Sequence, residues 1–201
     1  MQKLLIATKN FGKFKEIESV LKDTPFELIN LQDIGIDEDV EETGKTYEEN
    51  AILKAQFFQK LSGLPTIADD SGITVEALKN ELGVKTRRWG AGADASDTEW
   101  LDFFLKRMES ETNRNSEFFT TIAFIASENE APQIFRGVCK GIITKAPESE
   151  YLKGIPLSAV FKPEGLNCVY SALTPEEKGK ISHRGRAASA LKEYLKKKDF
   201  N

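Results

Sequence analysis

Two long segments in the middle of the chain place the strongest constraint on its fold. Residues 117–127, EFFTTIAFIAS, and residues 133–144, QIFRGVCKGIIT, are rich in β-branched and aromatic residues, and the stretch ENEAP separates them. Such a pair predicts two long antiparallel strands joined by a turn. A hairpin of this kind implies a sheet core, around which the remaining elements must pack.

Helices and strands alternate before the hairpin. Residues 3–8, KLLIAT, form a short apolar run that predicts a buried strand. The apolar residues of GKFKEIESVLKD, which follows, recur at helical spacing and predict a helix. Residues 26–31, FELINL, predict a second strand, and the acidic, turn-rich stretch DIGIDEDVEETGKT predicts a loop.

Local signals indicate two more helices and a short strand. Thr46 followed by Glu49 is a capping-box pattern that opens a helix, and Gly63 and Pro65 close it. The stretch PTIA then predicts a short strand that ends before Asp69. Further along, WLDFFLKRM continues a helix that begins in the residues just before it. The predicted fold is α/β or mixed α+β with a central sheet, and residues 1–201 are expected to form a single domain.

Charge and composition restrict the class of partner. The formal net charge is −4 and the pI is about 5.3, whereas proteins that bind duplex nucleic acid usually carry a basic face. We therefore expect no nucleic-acid polymer as partner, while a small phosphorylated ligand needs only a few local cations. Cys139 and Cys168 are far apart and form no CxxC pair, which argues against a disulfide framework or a zinc site. The sequence shows no apolar run long enough to span a membrane and no signal-peptide pattern. We therefore expect a cytoplasmic protein with no membrane partner.

The turn after the first strand has the composition of an anion site. In ATKNFGK, free backbone N–H groups meet the positive end of a helix dipole. Thr8 and Asn10 can donate hydrogen bonds, Lys9 and Lys13 bring positive charge, and Gly12 permits close backbone approach. The spacing is not that of the common phosphate loop. A polar turn with solvated lysines is the alternative interpretation.

Two pairs of adjacent acidic residues are candidate metal ligands. Glu41 and Glu42 lie in the acidic loop, and Asp69 and Asp70 follow the PTIA strand. Mg²⁺ is usually held by one or two carboxylates, with water and phosphate as the other ligands. An acidic loop is usually only solvated, which is the alternative for the glutamates. The alternative for the aspartates is a turn, which Asp-Ser-Gly often forms, but a turn needs only one aspartate.

A cluster of cationic residues precedes the last predicted helix. Lys178, Lys180, His183 and Arg184 lie close together in EEKGKISHRG, and Ser182 is a candidate N-cap of that helix. His183 is the only histidine of the chain, and a lone histidine is more often structural than catalytic. Its cationic neighbours disfavour the protonated form, so a pocket for a nucleotide or phosphate is more plausible than a general base.

Three segments in this order resemble the inosine triphosphate pyrophosphatase family, whose members are also described as dITP/XTP pyrophosphatases. They are TKNFGK followed by KEI, EETGKTYEENAILKA followed by ADDSG, and LTPEEKGKISHRG. The resemblance implies an elongated mixed α/β fold on a long central sheet, with two lobes around a cleft, and a homodimer. It also implies Mg²⁺-dependent hydrolysis of a nucleoside triphosphate to the monophosphate and pyrophosphate. Deaminated purines such as ITP, dITP and XTP are the expected substrates.

The resemblance also implies roles for individual residues. Thr8, Asn10 and Lys13, together with Lys9, are expected to bind the triphosphate, and Ser71 is expected to contact the substrate. Lys178, His183 and Arg184 match residues that surround the base and the nucleotide. Asp70 matches the general base, and the metal ligands are expected to be Glu42, Asp70 and Asp69.

One segment departs from the family pattern. The family usually carries phenylalanine-glycine-aromatic-aspartate-proline, and the phenylalanine stacks on the base. The corresponding stretch here is EYLKGIPLSAVFKPEG, in which Gly154 falls at the stacking position and Leu157 at the aspartate position. Tyr151, Phe161 or Trp89 can be considered as a replacement aromatic residue. Two interpretations remain for the nearby stretch that contains Arg87, Arg88 and Trp89. It either rebuilds the pocket wall or forms a salt-bridged surface turn.

These departures leave two alternatives to the main functional prediction. One is the same chemistry on another or modified nucleotide, since loss of a stacking residue affects base selection and not phosphate chemistry. The other is a regulatory protein that binds nucleotides without turnover. Asp69, Asp70 and Glu42 argue against the second alternative, because a protein that only binds does not need a base for water.

Overall fold

The predicted hairpin lies within one six-stranded sheet. The structure is a computed structural model that describes residues 1–79, 81–83, 86, 89–92 and 94–198. The strands are β1 (Gln2–Ile6), β2 (Phe26–Asn30), β3 (Thr66–Val75), β4 (Asn115–Ile125), β5 (Gln133–Ile143) and β6 (Phe161–Pro163). Their order in the sheet is β2-β1-β3-β4-β5-β6. β1 runs parallel to β2 and β3, and the remaining neighbours are antiparallel, so the sheet is mixed.

Helices cover both faces of the sheet. They are α1 (Phe11–Leu21), α2 (Tyr47–Ser62), α3 (Asp97–Arg107), α4 (Pro175–Ile181) and α5 (His183–Lys197). One face packs against α1 and α5, where Ile67 of β3 meets Phe14 and Ala188. The other face packs against α2, where Ala68 meets Ala51. The predicted mixed α/β fold on a long central sheet is confirmed.

The strand predicted to end before Asp69 is longer than its apolar residues indicate. β3 continues through Asp69, Asp70 and Ser71, and all ten of its residues pair with β4. Aspartate and glycine are depleted in strands, and Asp-Ser-Gly is a turn signal, which explains the wrong prediction. Tertiary pairing overrides that local preference here. Because successive side chains of a strand point to opposite faces, Asp69 lies on the α1/α5 face and Asp70 on the α2 face.

Helix caps agree with the sequence signals, with one difference. The Thr46 side chain accepts a hydrogen bond from the Glu49 backbone N–H, as a capping box requires. The Glu49 carboxylate, however, accepts from the backbone N–H of Lys45 and not from that of Thr46. Gly63 ends α2 with a φ of 67°, a conformation that glycine adopts without strain.

The final helix begins as predicted, but a second short helix precedes it. The Ser182 side chain caps α5 by accepting from the Gly185 backbone N–H. α4 lies immediately before it, in the stretch that sequence reasoning left without secondary structure. Gly137 of β5 lets α5 approach the sheet, since a Cβ there would lie 1.9 Å from the His183 carbonyl oxygen. This close approach brings the first residues of α5 to the middle of the sheet.

Within the described residues, no helix combines the length and apolar character needed to cross a membrane. All six strands belong to a single sheet. A single domain over residues 1–201 remains a prediction.

Candidate active site

A cavity of about 340 Å³ brings together residues from all three predicted motifs. Its volume lies in the range of small-ligand pockets. Ten of the eleven predicted site residues line it, namely Thr8, Lys9, Asn10, Lys13, Glu42, Asp70, Ser71, Lys178, His183 and Arg184. Asp69 is not part of the lining and lies beneath it.

Asn10 organises the turn at one end of this cavity. Its side-chain oxygen accepts from the Lys13 backbone N–H at 3.0 Å and so caps α1. Its amide nitrogen donates to the Gly154 carbonyl oxygen at 2.7 Å. The Lys9 ammonium reaches across the opening to the acidic loop, where it lies 3.6 Å from Asp39. The turn therefore holds two lysines beside a helix N-terminus, an arrangement that favours a bound anion.

Asp69 is the centre of a buried ionic network on the α1/α5 face. Its Oδ2 atom lies 3.2 Å from Lys13 Nζ and 3.1 Å from Arg184 Nε. Arg184 and Lys178 also pair with Glu16 of α1. Burial alone would raise the pKa of Asp69, but Lys13, Arg184 and Lys54 outweigh it and hold that pKa below its usual range. Asp69 is therefore ionised and fixes two cations of the site.

Asp70 has a different environment on the α2 face. Its Oδ2 atom accepts from the Asn50 side-chain amide at 3.0 Å, and its Oδ1 atom lies 3.8 Å from Lys54 Nζ. Burial raises the pKa of Asp70, and the attraction of Lys54 and Lys13 offsets this only in part. A carboxylate of raised pKa that faces a cavity is suited to accepting a proton.

The residues around Lys54 fit a divalent cation. The Lys54 ammonium lies 2.6 Å from Glu42 Oε1 and 3.8 Å from Asp70 Oδ1, so both carboxylates converge on one positive charge. Carboxylate oxygens are the ligands that Mg²⁺ prefers, and one or two from the protein are enough. No cluster of three or more histidine, cysteine, aspartate or glutamate residues suited to a metal occurs in the described part of the chain. The metal-binding role of Asp69 stays a prediction, since its Oδ2 atom is already paired with two cations.

Aromatic rings also line the cavity. The His183 ring stacks on Phe118 with centroids 4.6 Å apart, and Tyr170 stacks beside both. Burial lowers the pKa of His183 well below its usual value, and Arg184 and Lys178 lower it further. His183 is therefore neutral at physiological pH and belongs to an aromatic wall.

The segment that departs from the family pattern lies against the turn after β1. Gly154 has a φ of +87°, and a Cβ there would lie 2.5 Å from Asn10 Oδ1. No side chain fits at this position without displacing Asn10. Leu157, in a 3-10 turn at Pro156–Ala159, is buried and lines the cavity.

None of the aromatic residues considered as replacements lines the cavity. Tyr151 hydrogen-bonds to Thr98, Phe161 is fully buried against Phe118, and Trp89 packs on α3. Arg87 and Arg88 lie outside the described residues.

Sequence reasoning missed several residues that shape the cavity. Lys54 and Asn50 lie one turn apart on α2, within the stretch ENAILKA, and that i, i+4 spacing was the available signal. Glu16 belongs to the quoted KEI triplet but received no role. Trp100 and Tyr170 gave no local signal, because a buried aromatic residue is usually part of the core.

The cavity lining combines cationic side chains with aromatic rings, and it also includes Asp70, Glu42 and Lys54. Lysines and a helix N-terminus suit a polyanion, and stacked rings suit a flat heteroaromatic group. A carboxylate with a raised pKa suits activation of water. The arrangement can bind a molecule with both parts and promote hydrolysis of its anionic part.

Comparisons with known proteins agree with this description. The sequence matches the Ham1 family over residues 4–194. It is 42% identical to the dITP/XTP pyrophosphatase of Haemophilus influenzae over 197 residues, which is 96% of this chain and 99% of that protein. It is 37% identical to the dITP/XTP pyrophosphatase of Flavobacterium psychrophilum, over 96% of this chain and 98% of that protein. The fold matches a HAM1 protein from Coxiella burnetii with a TM-score of 0.83 and 35% identity, covering 98% of this chain and 100% of that one.

Proposed function

Because the chain belongs to the Ham1 family, we propose that it hydrolyses a nucleoside triphosphate to the nucleoside monophosphate and pyrophosphate. Its expected substrates are the non-standard purine nucleotides ITP, dITP and XTP, which it removes from the nucleotide pool. The observation that carries the proposal is the position of Asp70, which lines the same cavity as the lysine-rich turn and the aromatic rings.

The triphosphate binds at the turn after β1. Thr8 and Asn10 direct polar side chains toward the phosphates, and Lys9 and Lys13 neutralise their charge. Burial lowers the pKa of Lys13, whereas Asp69 opposes that change. Asp69 thus keeps a buried lysine charged, while Arg184 donates to Ser71 Oγ at 2.9 Å and orients that side of the pocket.

Asp70 acts as the general base. A water oxygen forms a bond to the α-phosphorus, the bond from that phosphorus to the bridging oxygen breaks, and pyrophosphate leaves. The water proton passes to the Asp70 carboxylate, whose pKa is raised by burial. Asn50 holds one oxygen of Asp70 in place, and lysine charges stabilise the negative charge that develops on the leaving group.

Glu42 and Asp70 are the proposed ligands of Mg²⁺, with Asp69 retained as a predicted ligand. When bound, the metal supplies charge neutralisation at the phosphates. Lys54 contacts both Glu42 and Asp70 and holds these two carboxylates close to each other.

The test is pyrophosphate release from ITP, dITP, XTP and the four common nucleoside triphosphates in the presence of Mg²⁺. Preferential release from the first three is expected. Release from none of the seven would exclude the proposal. Binding of ITP without hydrolysis, unchanged in Asp70→Asn, would instead favour a regulatory protein.

A second candidate is the same reaction on a nucleotide with another or modified base. The observation that favours it is Gly154, whose positive φ and contact with Asn10 leave no room for a stacking side chain. Adding modified purine and pyrimidine triphosphates to the panel and comparing kcat/KM separates the two candidates.

The proposal includes a homodimer in the cytoplasm, as the family resemblance implies. Phe57 and Leu61 lie one turn apart on α2 and are 37% and 45% exposed, so they are two apolar side chains available for such a contact. Analytical ultracentrifugation tests the oligomeric state, and a monomer at micromolar concentration would contradict this part of the proposal.

A further inference from the structure

Trp100 belongs to the cavity lining and carries a buried hydrogen-bond donor that has no partner among the described residues. The residue is 2% exposed, and its side chain is part of the cavity lining. Its indole Nε1 atom is buried and has no hydrogen-bond partner within the described residues. An indole nitrogen can only donate, and a buried donor without a partner is costly. A ligand with an acceptor at this position would satisfy it.

The indole ring is held in a defined orientation. It stacks on Phe104 with centroids 5.5 Å apart and meets the edge of Trp89. α3 is hydrogen-bonded to the segment around Gly154 that differs from the family pattern. Asp97 of α3 accepts a hydrogen bond of 2.5 Å from the Gly154 backbone N–H. Thr98 and Tyr151 form a second contact between the same two segments, at 3.1 Å. Trp100 is therefore a rigid part of the wall formed by α3 and residues 151–159.

Trp100 lies among apolar residues of the cavity wall. It belongs to the apolar cluster that contains Leu157 and Tyr170, both of which also line the cavity. The lysines of the β1–α1 turn line the same cavity, and that turn is joined to residues 151–159 by the hydrogen bond from Asn10 to Gly154. A triphosphate seated on those lysines has its base inside a cavity that the apolar cluster also lines.

We propose that Trp100 is a specificity-determining residue that donates its indole N–H to a carbonyl oxygen of the base. The inference rests on the proposed function, and it concerns the choice between an oxo group and an amino group on the purine. The ligand class is the triphosphate of an oxo-purine.

The chemistry of the donor explains the selection. An oxo group accepts from the indole N–H, whereas an exocyclic amino group at the same place is itself a donor. An amino-purine would leave the buried donor unpaired and bring a second donor against it. Sites built to hydrogen-bond a substrate group discriminate strongly against analogues that lack it. One buried hydrogen bond corresponds to a discrimination of about tenfold.

The first test compares four substrates in Trp100→Phe and in a matched control, Trp89→Phe. The substrates are ITP and XTP, which carry oxo groups, ATP, which carries an amino group, and purine riboside triphosphate, which carries neither. Trp100→Phe should lower kcat/KM for ITP and XTP about tenfold, leave that for purine riboside triphosphate within about twofold, and not lower that for ATP. Trp89→Phe makes the same chemical change in a ring outside the cavity lining. It keeps an aromatic side chain against Trp100, so it should leave the substrate ratios unchanged. An equal decrease for all four substrates in Trp100→Phe, or no decrease, would overturn the inference.

The second test leaves Trp100 intact. The chain has two tryptophans, so Trp100 is the only one in Trp89→Phe, and its emission reports on its surroundings. Without Mg²⁺, ITP should change that emission saturably, whereas tripolyphosphate should bind at the lysines and leave it unchanged. Binding of ITP, measured by calorimetry, without a change in emission would contradict the inference.

The two proposals fail in different ways. If the wild-type protein releases pyrophosphate but Trp100→Phe keeps its substrate ratios, the inference alone is wrong. If the wild-type protein releases no pyrophosphate from any nucleotide, the proposed function is wrong, and the inference falls with it.

Discussion

Asp69 and Asp70 are neighbours in the chain but lie on opposite faces of β3 and have opposite electrostatic surroundings. On the α1/α5 face, Asp69 is fully buried between Lys13 and Arg184, and its pKa is lowered. On the α2 face, Asp70 lines the cavity, and burial raises its pKa.

The difference shows how one strand can carry a structural carboxylate on one face and a chemically reactive carboxylate on the other. A carboxylate between two cations is held ionised, and it keeps those cations in place. A carboxylate that faces a cavity with incomplete compensation can accept a proton. Each of the following predictions tests this division between the two faces.

Asp70→Asn should have the largest effect. The amide keeps the size of the side chain but cannot accept a proton, so kcat should fall about a thousandfold. The free energy of unfolding should fall less than in Asp69→Asn, because the new amide still accepts from one of the two donors, Asn50 and the Ser71 backbone N–H, that bond to the carboxylate. Steady-state pyrophosphate release and urea denaturation of the same preparation check both statements. Turnover close to wild type would show that Asp70 is not the base.

Asp69→Asn should affect stability more than any other change on this strand. It leaves Lys13 and Arg184 buried with one negative charge fewer, and loss of one partner of a buried pair costs about 3 kcal/mol. Urea denaturation measures the loss, and Asp70→Asn serves as the control of equal chemistry. Equal stability of the two variants would remove the distinction between the faces.

Glu16→Gln, on the α1/α5 face, should make the free energy of unfolding of the protein less dependent on pH. Burial alone would raise the pKa of Glu16, but Arg184 and Lys178 outweigh it and lower that pKa below the ordinary 4.5. A lowered pKa means that the ionised group stabilises the fold above about pH 4.5, and that this contribution disappears as the pH falls through the folded-state value.

The variant should therefore be less stable than wild type by about 2 kcal/mol at pH 7, and the difference should shrink below pH 4.5. The expected loss is smaller than for Asp69→Asn because the Glu16 side chain is 9% exposed, whereas that of Asp69 is 0% exposed. Thermal unfolding from pH 3 to pH 8 checks this. A constant difference over the whole range would contradict the assigned cause.

Ser71→Ala should have the smallest effect. It removes one hydrogen bond from Arg184, whose ion pairs with Asp69 and Glu16 remain. The free energy of unfolding should fall by about 1 kcal/mol or less. Urea denaturation measures this, and a loss as large as that of Asp69→Asn would mean that Ser71 and not Asp69 positions the arginine.

Local signals explain which parts of the fold and site were predictable. The β4–β5 hairpin, α1, α2 and the Ser182 cap follow from periodicity and capping residues close together in the chain. The length of β3 was not predictable in this way, because Asp69, Asp70 and Gly72 are poor strand residues that only the pairing with β4 retains.

The chain itself determined the order of the motifs, the residues that can bind phosphate and the pair of aspartates, because these depend on residue type and short spacing. Only the tertiary structure decided which aspartate lines the cavity, that Glu16 and Lys54 complete the two ionic clusters, and that Trp100 lines the cavity while Trp89 does not. Those assignments depend on the face of a strand or helix that each side chain occupies, and on contacts between residues as distant as Asn10 and Gly154. Such contacts arise only when the sheet and its helices have packed.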